Sequence, residues 1–315
     1  MKSAWRLILL LAILGALGAG LWLTGRGTAP DHRNLDAVVT VGGDLVRDAI
    51  HPAIDLTRLS SSEEVRLGKA IDAEIRARMT IADEDATSRY LQEVTDLVAG
   101  GTRRRDIRYQ AAVVRSPEIN AFAVAGGHIY VTEGMLGFVQ NEAELAVVIG
   151  HEISHVDLRH CVERLQLEQA ARKVVPDLAF LARLGYEVAL RGFSEEQELA
   201  ADADGALLAA LASYDPWQAE NLLARMLSKN APPPPSRNPV KELALALPEA
   251  LGRYLATHPP ADQRMETVRR TLAARPDLWK GLPRYIGRQN LSDRVTVKER
   301  GARPEEITRL ESPPR

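Results

Sequence analysis

Asn141-Glu142-Ala143-Glu144-Leu145-Ala146-Val147-Val148-Ile149-Gly150-His151-Glu152-Ile153-Ser154-His155 is the stretch on which the fold turns. Leu145, Val148 and Ile149 recur at helical spacing, so the segment reads as a packed helix with an apolar face. Gly150 falls inside it, where glycine costs about 1 kcal/mol relative to alanine. A glycine kept at such a position usually has a packing reason, and close approach of another backbone would be one. The last five residues read H-E-x-x-H. At about 100° per residue, His151 and His155 lie roughly 40° apart on one face, a turn from each other. Two imidazoles side by side are what a zinc ion takes from two of its ligands. Glu152 points away from His151, beside such a metal, where it would draw the proton from an activated water. The plain alternative is a surface helix with a histidine pair and a solvated glutamate, and the apolar run into the motif argues against it.

Around this helix the composition is that of an ordinary globular protein: 315 residues, 45% hydrophobic and 26% charged. A net charge of −2 gives no electrostatic footprint for nucleic acid. Arg103-Arg104-Arg105 reads as a solvated turn after a helix. Cys161 is the one cysteine, so no intrachain disulfide exists. His160-Cys161 is a poor nucleophile pair, because helical neighbours point apart, and Cys161 reads as a half-buried helix residue. At the N-terminus, Lys2 and Arg6 precede an apolar run from Leu7 to Leu23, the pattern of an export signal or a membrane anchor over residues 1–27. Either way the positive charges stay cytoplasmic and the body is exported, with contact to the membrane through this segment.

The remaining chain divides by pattern. Residues 28–59 are an irregular lead-in. Helices are expected from about Ser61 to Met79, and from Asp83 or Asp85 to Gly100-Gly101. Residues 107–114 are β-prone. Ala121-Phe122-Ala123-Val124-Ala125, the turn Gly126-Gly127 and His128–Thr132 read as a β-hairpin. The motif helix is expected over 141–171, ended by Pro176, with further helices to Leu190, over 195–212, and from Asp215-Pro216 to Ser228. A stiff proline run occupies 231–236, helices follow near 240–256 and 261–275, and a polar tail covers 291–315. The fold class is mainly α with a small β-sheet (α+β).

A catalytic zinc takes three protein ligands. Leu158 and Cys161 exclude a third histidine at the extended-motif spacing. His160 is five residues past His155, roughly 140° round the helix from it, and so does not share the metal. A carboxylate from Glu195–Gly205 is the best source. Glu198 and Asp202 are four apart and share a face, and Gly205 and Ala209 continue it as small residues suited to packing against Gly150. Glu198 would bind the metal, and Asp202 would accept the N–H of a ligand histidine. An acidic, solvated helix start is the competing reading.

The order Asn120-Ala121-Phe122-Ala123, Gly126-Gly127-His128-Ile129-Tyr130-Val131-Thr132, His151-Glu152-Ile153-Ser154-His155-Val156, Glu198 with Ala201-Asp202, and His258-Pro259 resembles the M48 (Ste24/HtpX/Oma1-like) zinc metallopeptidases. The resemblance covers about residues 60–275 and is closest to the periplasmic, single-anchor branch. It implies a helix-dominated gluzincin catalytic domain over 60–290, with one Zn2+ per subunit held by His151, His155 and Glu198. Glu152 is then the catalytic acid and base, and the substrate is a protein or peptide of the cell envelope. By the same resemblance His258 sits near the metal as an oxyanion helper or a gate, with Arg264 a weaker candidate for that neighbourhood. Glu195 departs from the arginine common there. The strand Asn120, Ala121, Phe122, Ala123 would hold an extended substrate by strand addition. The rival is a non-proteolytic, zinc-stabilised assembly factor or chaperone, and a purely structural zinc would need His258 as fourth ligand. Oligomeric state is not readable.

Overall fold

The computed structural model describes residues 59–82, 85–172, 178–229 and 261–314. The N-terminal signal or anchor, most of the lead-in, Asp83, Pro176, the proline run, the helix near 240–256 and His258-Pro259 lie outside the described residues. Among the described residues the molecule is mostly helical with two small sheets, and no helix there is long and apolar enough to cross a membrane.

Two helices open the domain: α1 (Ser61–Arg78), with a capping box from Ser60 to Glu63, and α2 (Ala86–Ala99), capped by Asp85. Three strands follow, β1 (Gln110–Val114), β2 (Ala121–Val124) and β3 (His128–Thr132). β3 is central, parallel to β1 and antiparallel to β2, so β2 is an edge strand. Gly126 and Gly127 turn the hairpin at φ 81° and 91°, the left-handed region that glycine enters without strain. Thr132 then caps a short helix, α3 (Glu133–Phe138), which the sequence reading did not anticipate.

The motif lies on α4 (Glu142–Asp157), and almost every residue of that helix is buried. A helix buried on every side lies in the centre of a domain, and its buried Glu142, Glu144, His151, Glu152, Ser154, His155 and Asp157 must find their partners there. Its last turn departs from expectation. Rather than running to 171, the helix stops at Asp157. Arg159 takes a left-handed φ of 66°, and α5 (His160–Arg172) starts afresh. After α6 (Leu178–Ala189), α7 (Glu195–Leu211) crosses α4 at contact distance. A Cβ on Gly150 would stand 2.6 Å from the Gly205 carbonyl oxygen, and one on Gly205 would stand 2.6 Å from the His151 nitrogen. The expected close approach of a backbone to Gly150 is this crossing.

α8 (Gln218–Lys229) and α9 (Ala261–Ala274) pack on each other, α8 against α4 and α9 against α7. The stretch read as a polar tail is folded against the domain. β4 (Arg284–Tyr285) pairs with β5 (Ile307–Thr308), and α10 (Arg288–Asp293) and α11 (Val297–Arg300) lie between them. Leu291, Asn290, Thr296 and Glu306 are buried. The arginine run is likewise more than a solvated turn. Arg103 reaches Asp157 and Asp204, and Arg104 pairs with buried Glu64 at 2.6 Å and donates to the Val156 carbonyl.

Candidate active site

α4 and α7 bring three donors to one point. Nε2 of His151 and Nε2 of His155 are 3.1 Å apart. Glu198 on α7 puts Oε2 3.4 Å from His151 Nε2 and Oε1 3.5 Å from His155 Nε2. All three residues are buried, and among the described residues they are the one group of histidine, cysteine and carboxylate donors with metal-binding spacing. A tetrahedral zinc with bonds of about 2.0–2.1 Å keeps its donors about 3.3–3.4 Å apart. The observed separations of 3.1, 3.4 and 3.5 Å, the last two to different oxygens of Glu198, are close to that spacing, and two imidazoles with one carboxylate are a zinc donor set.

Each imidazole is oriented by its other nitrogen. His151 Nδ1–H donates to Asp202 Oδ1 at 2.9 Å. Asp202 is in turn gripped by Arg264 of α9, with Nε to Oδ2 and Nη2 to Oδ1 both at 2.7 Å. Arg264 therefore stands behind the site, on Asp202. Burial works against the Asp202 charge, but Arg264 and His151 hold its pKa well below the usual carboxylate range. Burial also opposes protonation of His151, yet the Asp202 and Glu198 carboxylates outweigh it and raise its pKa.

His155 has two neighbours that sequence reasoning missed. Its ring stacks on Phe193, with centroids 3.8 Å apart and planes 13° apart. Its Nδ1 lies 3.0 Å from Nδ1 of His160. The 140° separation expected for His160 assumed a continuous helix, and the turn at Leu158-Arg159 removes that assumption. His160 still does not join the donor triangle. Phe193, on the loop between α6 and α7, left no signal in the pattern of its own segment.

Glu152 is buried beside the triangle, and burial pushes its pKa up to about 7, with His151 and the backbone N–H of Ala123 pulling the other way. It lines two recesses. One sets Val148, Leu222, Leu223 and Val268 against His151, Asp202 and Arg264. The other runs past Asn120, Ala121 and Phe122 to Leu190 and Phe193. Along β2 the N–H of Ala123 faces Glu152, and its carbonyl receives the Cys161 thiol at 3.7 Å. Thr132 N–H donates to the Asn120 carbonyl, so the ladder alternation turns the Ala121 backbone to the same outer side as Ala123. Cys161 is buried rather than half-buried, and burial lifts its thiol pKa well above the usual value. It is inert by this measure.

The model of peptidase family M48 matches residues 85–272. The chain belongs to family M48. Peptidases of M48 use a metal, typically zinc. Among relatives, the chain is 28% identical over 186 residues to the mitochondrial metalloendopeptidase OMA1 of Schizosaccharomyces pombe, covering 52% of this chain and 54% of that protein. It is 33% identical over 178 residues to the protein of that name from Arabidopsis thaliana, covering 51% and 31%. The beta-barrel assembly-enhancing protease of Escherichia coli K12 is 23% identical over 189 residues, covering 54% and 39%. The chain thus matches between about a third and about half of the length of these relatives. The M48 region contains His151, Glu152, His155, Glu198, Asp202 and Arg264, and it stops short of β4 to β5.

Proposed function

We propose that this chain is a zinc-dependent endopeptidase of the cell envelope that cleaves unfolded or misassembled proteins. The observation that carries the reading is the buried triangle of His151, His155 and Glu198 with Glu152 beside it, open to two recesses. His151, His155 and Glu198 would hold the ion, which when bound supplies Lewis acidity toward a water and a substrate carbonyl. Glu152 takes the proton of the attacking water and delivers it to the leaving amine, in a pocket that excludes bulk solvent. Asp202 keeps His151 in the tautomer whose Nε2 carries the electron pair.

A substrate strand laid along β2 would bond to Ala121. At Ala123 the carbonyl receives the Cys161 thiol, and the N–H faces Glu152. Backbone contacts of this kind beside the catalytic carboxylate favour extended, unfolded clients over a fixed sequence. His258 as a gate or oxyanion helper belongs to the same reading. The envelope setting is supported by the charged and apolar N-terminal pattern and by a relative named for beta-barrel assembly.

The test is metal analysis with cleavage of an unfolded casein. The wild type should carry one zinc and cleave. Glu152→Gln should carry zinc and lose cleavage, and Glu198→Ala should lose zinc on dialysis. Cleavage by Glu152→Gln at the wild-type rate would sink the mechanism, and a zinc-loaded wild type that cleaves nothing would favour the assembly-factor reading.

A further inference from the structure

We propose that His160 is a positioning residue for the metal site: its Nδ1 accepts the Nδ1–H of His155 and so keeps the His155 Nε2 electron pair aimed into the donor triangle. This rests on the metal reading above. The two Nδ1 atoms are 3.0 Å apart, so one proton lies between them. If His160 carried it, the proton of neutral His155 would sit on Nε2, inside the triangle, where it blocks ligation. If His155 carries it, Nε2 is free to bind. Metal binding therefore selects His160 as the acceptor.

The contact is built by the chain reversal at the end of α4. Arg159 adopts φ 66° while its Nη2 donates to the Leu59 carbonyl at 2.5 Å. α5 then restarts with His160, whose ring meets that of His155 edge-on at 5.2 Å. Phe193 stacks on His155 and fixes the plane of the imidazole. A stack leaves rotation within the plane open, and the His160 bond removes it. His151 receives the equivalent restraint from Asp202. The two ligand histidines are thus held by different chemistry, one by a carboxylate and one by a neutral ring.

The experiment uses the full chain and zinc itself, titrated against a chromophoric chelator. His160→Leu should weaken zinc binding roughly 10–100-fold, while His160→Asn, which keeps an acceptor near the Nδ1 position, should stay within about threefold of wild type. A residue that only fills space would lower the melting temperature without separating these two variants in zinc affinity. Nitrogen-15 spectra of the zinc-loaded wild type should find Nδ1 protonated in His155 and bare in His160, which decides the matter if His160→Leu does not fold. Wild-type zinc affinity in His160→Leu, or the proton on Nδ1 of His160, would overturn the proposal. His155→Ala separates the two readings: retention of stoichiometric zinc in that variant would remove the metal reading, and this one with it.

Discussion

At the scale of single residues, Asp202 has the most to lose. It accepts from His151 on one oxygen and from Arg264 on both, with all three side chains buried. Asp202→Ala would leave the Arg264 guanidinium buried without its anion, a change that typically costs about 3–5 kcal/mol. It also frees His151 to take the wrong tautomer, which should weaken zinc binding about 10–100-fold. Thermal unfolding of the metal-free protein measures the first effect and chelator competition the second. Unchanged zinc affinity in a folded Asp202→Ala would remove its role on His151. The spacing of Glu198 and Asp202 was readable because both lie on one unbroken helix, where 3.6-residue geometry carries over. His160 stays out of the donor set as expected, but not for the expected reason: the 140° angle follows a helix that ends three residues earlier, at Asp157, before an arginine in a left-handed conformation that no residue type announces. Arg103 and Arg104 were misjudged because their carboxylate partners, Asp157, Asp204 and Glu64, are about 40 to 101 residues away in sequence, and no local pattern contains them.

At the scale of elements, the crossing of α4 and α7 sets the distance from Glu198 to the two histidines. Two glycines make that crossing possible, and neither has room for a methyl group. Gly150→Ala or Gly205→Ala must push the helices apart by moving backbone. Overpacking of this kind costs about 1–3 kcal/mol. The same displacement widens the donor triangle, so zinc affinity should fall together with stability. Gly137 in α3 is the control, since a Cβ there meets nothing within 4 Å. Gly137→Ala should leave zinc binding alone and stabilise slightly, by about 0.5–1 kcal/mol. Melting curves with zinc titrations of the three variants test the contrast. A Gly150→Ala protein with wild-type melting and wild-type zinc affinity would show that the crossing does not govern the site. This crossing was visible in advance as a glycine inside an apolar helix and a small-residue stripe on a second one. The break between α4 and α5 was not visible, because it carries no proline or helix-ending glycine, and α3 was hidden because its six residues include two glycines, which disfavour helix.

At the scale of the whole molecule, the C-terminal segment completes the motif helix. The first N–H groups of a helix have no partner within it. In α4, Glu142 N–H donates to the Gly287 carbonyl at 3.0 Å and Ala143 N–H to the Ile286 carbonyl at 2.9 Å. The buried Glu142 side chain is further held by Tyr90, Tyr214 and the Val297 N–H. β4 also bonds to the chain just after α7, with Tyr285 N–H on the Ser213 carbonyl and Asp215 N–H on the Tyr285 carbonyl. The segment therefore ties together the starts or ends of both helices that carry the donor triangle. The ties at Tyr285, Ile286 and Gly287 come before the stretch read as a polar tail, which supplies the Val297 N–H, and most of them are backbone hydrogen bonds, which composition does not encode. A chain stopped at residue 283 would lose these bonds, each worth about 0.5–1.5 kcal/mol net. It would also lose the burial of Tyr285, Ile286 and Leu291, at roughly 1.5–3 kcal/mol for each large side chain. The sum is comparable with the roughly 5–15 kcal/mol that holds a domain together. The truncated chain should then fail to give a cooperative melt and should release its zinc, although it retains the whole family-matched region of residues 85–272. Restoring 284–314 as a separate peptide should recover part of the transition, because the segment acts through contacts and not through chain connectivity. A truncated chain that melts cooperatively near the wild-type temperature and keeps one zinc would show that α4 needs no partner at its N-terminus, and that the donor triangle is secured within the matched region alone.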